Sequence, residues 1–187
     1  MHVLVTGGTG FIGRALCQQL VRAGHEPCVL TRDPAKAAAI LPGVRLIPDL
    51  EQTGPIEAVV NLAGEPLAEG RWTTQRKQEF RDSRIGTTQR LLKWMEAQPQ
   101  RPRVLVSGSA IGYYGPRDDA PVNEDAPAGN DFAAQLCRDW EAEALRAQAL
   151  GLRVCTVRIG VVLGKDGGAL AKMLPPFKLG AGGPMGD

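Results

Sequence analysis

At 187 residues, 43% of them apolar and 22% charged, the chain has the length and composition of one well-cored domain, or of one domain and a fragment of another. A formal charge of only +2 with no basic run argues against a nucleic-acid or membrane-surface partner. Met1-His2 leads directly into an apolar segment and no apolar stretch nears the ~20 residues of a membrane helix, which predicts a cytoplasmic protein.

Val3, Leu4 and Val5 predict a buried first strand that runs into Thr6-Gly7-Gly8-Thr9-Gly10-Phe11-Ile12-Gly13. Gly7 permits a tight turn, Gly10 removes a side chain where backbone approaches a pyrophosphate, and Gly13 lets a helix pack on the strand. Thr9, Phe11 and Ile12 complete the loop, whose N–H groups lie at the positive end of that helix and bind phosphate. The context such a motif needs is met by an amphipathic helix from Gly13 to Ala23, stopped by Gly24, and by a second strand, Pro27 to Leu30, about twenty residues on. A dinucleotide site is the expectation.

The second strand delivers Thr31-Arg32-Asp33 at its tip, where the adenosine ribose of a dinucleotide lies in a doubly wound sheet. Sites that read a free 2′-hydroxyl usually carry Asp or Glu there. Thr31 and Arg32, with Lys36 one turn on, suit a 2′-phosphate through charge-assisted bonds, which predicts NADP over NAD. The alternative is that Arg32 decorates a solvated loop and that Asp33, as N-cap before Pro34, is the ribose ligand. A third strand, Val44 to Ile47, leads to Asp49, either a partner of the adenine amino group or a solvated turn aspartate. The fourth strand, Ala58 to Leu62, closes with Ala63-Gly64, so Leu62, Ala63 and Gly64 let a cofactor pass close to the backbone.

A helix is predicted from Thr73 to Ala97, ended by Pro99, and then a short fifth strand, Val104 to Val106, that runs into Ser107-Gly108-Ser109 and Gly112-Tyr113-Tyr114-Gly115. A surface loop with Pro116, Pro121 and Pro127 precedes a helix from Asp131 to Leu150, and the sixth strand spans Arg153 to Val162. The tail starts helical at Gly167 and turns irregular after Pro175-Pro176. Cys17, Cys28, Cys137 and Cys155 lie far apart among apolar neighbours, so buried reduced thiols and no metal site are expected. The alternation of strand and helix predicts an α/β doubly wound parallel sheet, a Rossmann fold with helices on both faces and ligands across the C-terminal strand ends.

TGGTGFIG, NLAG and SGSAIGYYG resemble the phosphate loop, fourth-strand motif and serine segment of the extended short-chain dehydrogenase/reductases. NLAGEPLAEGRW, SGSAIGYYG, LCRDWEAEA and GGALAKMLPPFKLGAGGPMG together resemble an atypical subgroup, the sugar nucleotide epimerase-like "epimerase family". That resemblance implies a Tyr and, four positions on, a Lys at the start of the helix before the sixth strand; Phe132 and Leu136 stand there, and neither transfers a proton. The Asn that orients a water in such sites would fall near Ser83. Of the catalytic set only Ser109 is retained.

Tyr113 or Tyr114 with Ser109 can polarise a carbonyl, the alternative being that both tyrosines pack or line the substrate site. Arg84 and Glu65 are candidates for substrate contact, Arg84 equally a solvated helix charge, and Trp72 is expected at the same mouth. Arg158, Ile159, Gly160 and Val161 fall where relatives of this fold pass the nicotinamide amide over the sixth strand, and Ser107 is expected among the cofactor-binding residues. The resemblance also implies about a hundred further residues in a smaller substrate domain, so residues 1–166 are expected to be the NAD(P)-binding domain and residues 167–187 the start of a truncated substrate region. The expected function is NADP(H)-dependent hydride transfer to a small carbonyl or sugar-like substrate, or NADP binding without turnover as a sensor or partner module. A homodimer fits either.

Overall fold

A computed structural model of the chain describes residues 1–68, 70–164 and 167–183. Six strands, β1 (His2–Thr6), β2 (Glu26–Leu30), β3 (Arg45–Ile47), β4 (Ala58–Asn61), β5 (Val104–Ala110) and β6 (Arg153–Ile159), form one sheet in the order β3-β2-β1-β4-β5-β6. Every neighbouring pair is parallel, in registers that set Thr6 between Leu30 and Asn61, and Ser109 beside Arg158. The chain winds outward from β1 to β3, then returns to β4 on the other side of β1. The C-terminal ends of β1 and β4 are therefore the switch point at which such sheets open a crevice.

The central strands β1, β2, β4 and β5 are largely buried, because successive residues point opposite ways and helices pack on each face, whereas the edge strand β6 is only half-buried. Val3 and Val5 pack with Cys17 of α1 (Phe11–Arg22) and with Val29 and Leu41. Leu4, between them, points to the other face, against Leu91, Leu92 and Met95 of α4 (Thr87–Ala97) and against Leu105. Helix α2 (Pro34–Ile40) starts on Asp33, whose carboxylate accepts the Lys36 N–H at 3.0 Å. Helix α5 (Phe132–Leu145) starts on Asp131 in the same way, through the Ala134 N–H at 2.8 Å.

The single helix expected over Thr73–Ala97 is α3 (Thr74–Arg81) and α4, joined by one π turn at Asp82–Gly86. A polar chain anchors that turn: Thr6 Oγ1 donates to Asn61 Oδ1 at 2.6 Å, Asn61 Nδ2 to Thr88 Oγ1 at 2.9 Å, and Thr88 Oγ1 to the Arg84 carbonyl at 2.7 Å. The extra residue of a π turn re-aims the side chains around it, here Ser83 and Arg84, relative to a plain helix. β5 runs on to Ala110, longer than expected, because β6 pairs with it that far while β4 pairs only to Ser107, so Ser107 and Ser109 are strand residues. β6 stops at Ile159; Leu163–Gly164 then forms a short strand, β7, bridged antiparallel to Gly167 and Gly168.

The tail departs from expectation too. Helix α6 (Gly168–Lys178) passes through Pro175 and Pro176. Proline lacks a donor but keeps its carbonyl, and those two carbonyls accept the Leu179 N–H at 3.2 Å each, so the helix closes beyond them. The end of the GGPMG block lies outside the described residues. Cys17, Cys28 and Cys137 are buried, whereas Cys155 is only half-buried, on a strand that forms one edge of the sheet.

Candidate functional site

A groove of about 1060 Å³ opens along the C-terminal ends of β1, β2, β3 and β4. Its floor is the glycine loop. Gly7 has φ +68°, and a Cβ there would overlap the Leu62 carbonyl. A Cβ on Gly13 would overlap the Gly7 carbonyl, and one on Gly8 would strike the Val29 methyls, so the loop is as tight as main chain allows. Gly10 is the N-cap of α1, donating to the Gly7 carbonyl at 3.0 Å. The next three amides, of Phe11, Ile12 and Gly13, have no protein acceptor among the described residues, and the first turn carries no acidic side chain. An anion fits this helix end on two counts: free donors and a positive dipole.

Gly7, Thr9 and Gly10 line the groove from below, Thr31, Arg32 and Lys36 from the β2 side, Asp49 from the β3 side, and Leu62, Ala63, Gly64 and Glu65 from the β4 side. Arg32 is 94% exposed, and one of its nitrogens is 3.4 Å from Glu65 Oε1. Asp33 caps α2, as its proximity to Pro34 suggested, and Asp49 caps a following turn by accepting the Glu51 N–H at 3.0 Å. Glu65, expected on the substrate side, turns toward Arg32. Its N–H bonds to Ser83 Oγ at 3.0 Å and its carbonyl accepts from Arg84 at 3.0 Å.

Arg84 is not a solvated helix charge. Its guanidinium packs on Gly64, lies 5.5 Å over the Trp140 ring, and burial lowers its pKa. Trp72 lies edge-on to Phe80 and Phe132 and donates to the Leu67 carbonyl at 2.9 Å. The Phe11 ring leaves the groove and is cupped by β7 and the start of α6, where a Cβ on Gly164, Gly167 or Gly168 would overlap it. Ile12, Gly160 and Val161 are exposed, and Ser107 is fully buried.

A second polar centre lies at the ends of β5 and β6. The Ser109 hydroxyl donates to Glu141 Oε1 at 2.5 Å. Arg158, its neighbour in register, grips the same carboxylate twice, at 2.9 and 3.0 Å, and donates to the Tyr114 phenol oxygen at 2.9 Å and to the Glu124 carbonyl at 2.8 Å. The guanidinium also stacks 3.5 Å from the Tyr113 ring centre. The Glu141 bonds chiefly, with the Tyr114 bond, push the Arg158 pKa up. Arg158 is thus built into this network, and Glu141, which sequence reasoning did not single out, is its hub. The signal was one acid in the LCRDWEAEA block at a position α5 turns inward.

A parallel α/β sheet with a glycine-lined anion cradle at its switch point defines a doubly wound dinucleotide-binding domain. The chain belongs to the NAD dependent epimerase/dehydratase family, whose sequence model matches residues 3–180. It is 45% identical over 197 residues to the chloroplastic epimerase family protein SDR39U1 homolog of Arabidopsis thaliana, an alignment covering 100% of this chain and 56% of that protein. To the human epimerase family protein SDR39U1 it is 43% identical over 192 residues, covering 100% of this chain and 63% of that one. The crystal structure of human SDR39U1 isoform 2 with NADPH superposes at a TM-score of 0.87 with 42% identity, over 100% of this chain and 62% of that one. A nucleoside-diphosphate sugar epimerase from Corynebacterium glutamicum superposes at 0.80 with 34% identity, over 100% and 39% of the two chains. The chain therefore spans 56 to 63% of the length of these two curated relatives. Among the described residues no helix is long and apolar enough to cross a membrane.

Proposed function

We propose that the chain is the coenzyme-binding part of an NADP(H)-dependent oxidoreductase or epimerase-like protein acting on a small carbonyl or sugar-like substrate. The observation that carries this reading is the glycine cradle: Gly7, Thr9 and Gly10 line a groove that also holds Arg32, and the acceptor-free amides of Phe11, Ile12 and Gly13 follow them at the start of α1. A pyrophosphate suits those amides, Arg32 with Thr31 and Lys36 suits a 2′-phosphate, and the small residues Ala63 and Gly64 leave room beside the backbone. The human relative, crystallised with NADPH, supports the choice of coenzyme.

When bound, such a coenzyme supplies or accepts hydride at its nicotinamide. The chain's own contribution is a proton and a charge. Ser109 commits its proton to Glu141, so its hydroxyl can accept a further hydrogen bond but not donate one. Tyr114 accepts from Arg158, and its own proton has no acceptor among the described residues, which leaves it for a substrate oxygen. Tyr113 supplies its ring face to the same guanidinium.

Calorimetric titration of the chain with NADPH and NADH tests the reading. Binding of NADPH that Arg32→Ala weakens by about 1–3 kcal/mol, the scale of a charge-assisted hydrogen bond, with NADH little changed, is the expected result. No heat from either coenzyme would refute it. The alternative, a protein that holds NADP without turnover, is favoured by α5, where Leu136 is buried and Phe132 packs on Trp72 at the two positions of the missing pair. Loss of reduced-nicotinamide absorbance over a carbonyl panel, abolished by Tyr114→Phe in the whole protein, distinguishes the enzyme from the sensor.

A further inference from the structure

We infer that Glu65 is a specificity residue of the coenzyme site: its carboxylate is the resident counter-ion of Arg32 and gives way when a 2′-phosphate takes the guanidinium. The inference rests on the NADP reading above and deepens it. Arg32 follows β2 and Glu65 follows β4, the two strands that flank β1, so their 3.4 Å contact joins the two sides of the groove that both residues line.

The other carboxylates near Arg32 are already employed by their own backbone. Asp33 caps α2 through the Lys36 N–H and Asp49 caps the next turn through the Glu51 N–H, each at 3.0 Å. Among the described residues, Glu65 alone is turned on the guanidinium. Its backbone is pinned on both sides, by Ser83 Oγ at the N–H and by Arg84 at the carbonyl, so the carboxylate is presented from a fixed point. Arg32, at 94% exposure, has no partner other than Glu65 among the described residues and can change that partner at little cost.

An exposed ion pair of this kind is weak, whereas a phosphate offers a guanidinium two charge-assisted bonds. Glu65 therefore yields to NADPH, yet it both competes for Arg32 and repels the incoming anion. Toward NADH, which lacks the 2′-phosphate, the pair stays closed and Glu65 is neutral in effect. Selectivity between the two coenzymes is thereby held below what Arg32 alone would give.

The test is titration of the Glu65→Gln chain with each coenzyme by calorimetry. NADPH should bind about two- to five-fold tighter, the scale of one exposed ion pair removed, with NADH unchanged. The gain should disappear when Arg32 is also alanine. NADPH binding that is unchanged or weaker in Glu65→Gln, an equal gain for NADH, or a full gain without Arg32 would each overturn the role of Glu65 while leaving the coenzyme assignment intact. Failure of the unaltered chain to bind either coenzyme would overturn both.

Discussion

At the scale of single residues, the glycines of the loop are fixed by contact rather than by flexibility alone. Gly13 lies in a helix, where alanine is intrinsically better by about 1 kcal/mol. Its Cβ would nevertheless sit inside van der Waals contact of the Gly7 carbonyl and the Gly8 Cα. Gly13→Ala should therefore destabilise the chain by roughly 1–3 kcal/mol, the range of an overpacked core, and abolish coenzyme binding by displacing the loop; chemical denaturation and calorimetry read the two effects. Cys17 gives a pH test. Burial pushes its thiol up to about 11, so between the ordinary thiol range near pH 9 and pH 11 the unfolded chain loses a proton that the folded chain keeps. Stability should fall as pH rises through that window. A Cys17→Ala variant should lack this part of the alkaline loss in urea titrations at pH 8 and 11.

At the scale of elements, the Glu141 network ties together four pieces of chain. Glu141 comes from α5, Ser109 from β5, Arg158 from β6, and Tyr114 from the turn after β5. The Glu141 and Arg158 side chains are 9% and 17% exposed, so removing one partner strands the other's charge in a largely dry site. Glu141→Ala should cost about 3–5 kcal/mol, where Glu141→Gln, which keeps an acceptor, should cost less. A second readout separates position from stability: the Tyr113–Tyr114 turn should show faster amide exchange in Glu141→Ala than β1 does. The π turn between α3 and α4 is held in a comparable manner, through Thr88 and Asn61 back to Thr6 at the end of β1.

At the scale of the whole molecule, two apolar layers cover the sheet while its C-terminal edge collects the polar groups. A ligand bound along that edge touches the loops after four different strands, so its binding energy couples to global unfolding. At about 100 times its Kd, NADPH should add roughly 2.7 kcal/mol of stability. For a domain of this length that is about 5–10 °C in Tm, readable by differential scanning calorimetry.

Much of this architecture was written locally. The glycine spacing, the Val3-Leu4-Val5 run, the Asp33-Pro34 helix start and the stop at Gly24 act over a handful of residues, so the strand-helix alternation, the parallel sheet and the tight glycine loop could be read in order along the chain. The polar centre could not. Ser109, Glu141 and Arg158 stand far apart in sequence, and what brings them together is the pairing of β5 with β6 and the face that α5 turns inward. The direction of Glu65 and the π turn that re-aims Arg84 belong to the same kind. Local propensity decides which element a residue joins, but only sheet register and packing across elements decide which distant charge it meets, and that meeting fixes whether a side chain is a solvated group or part of a site.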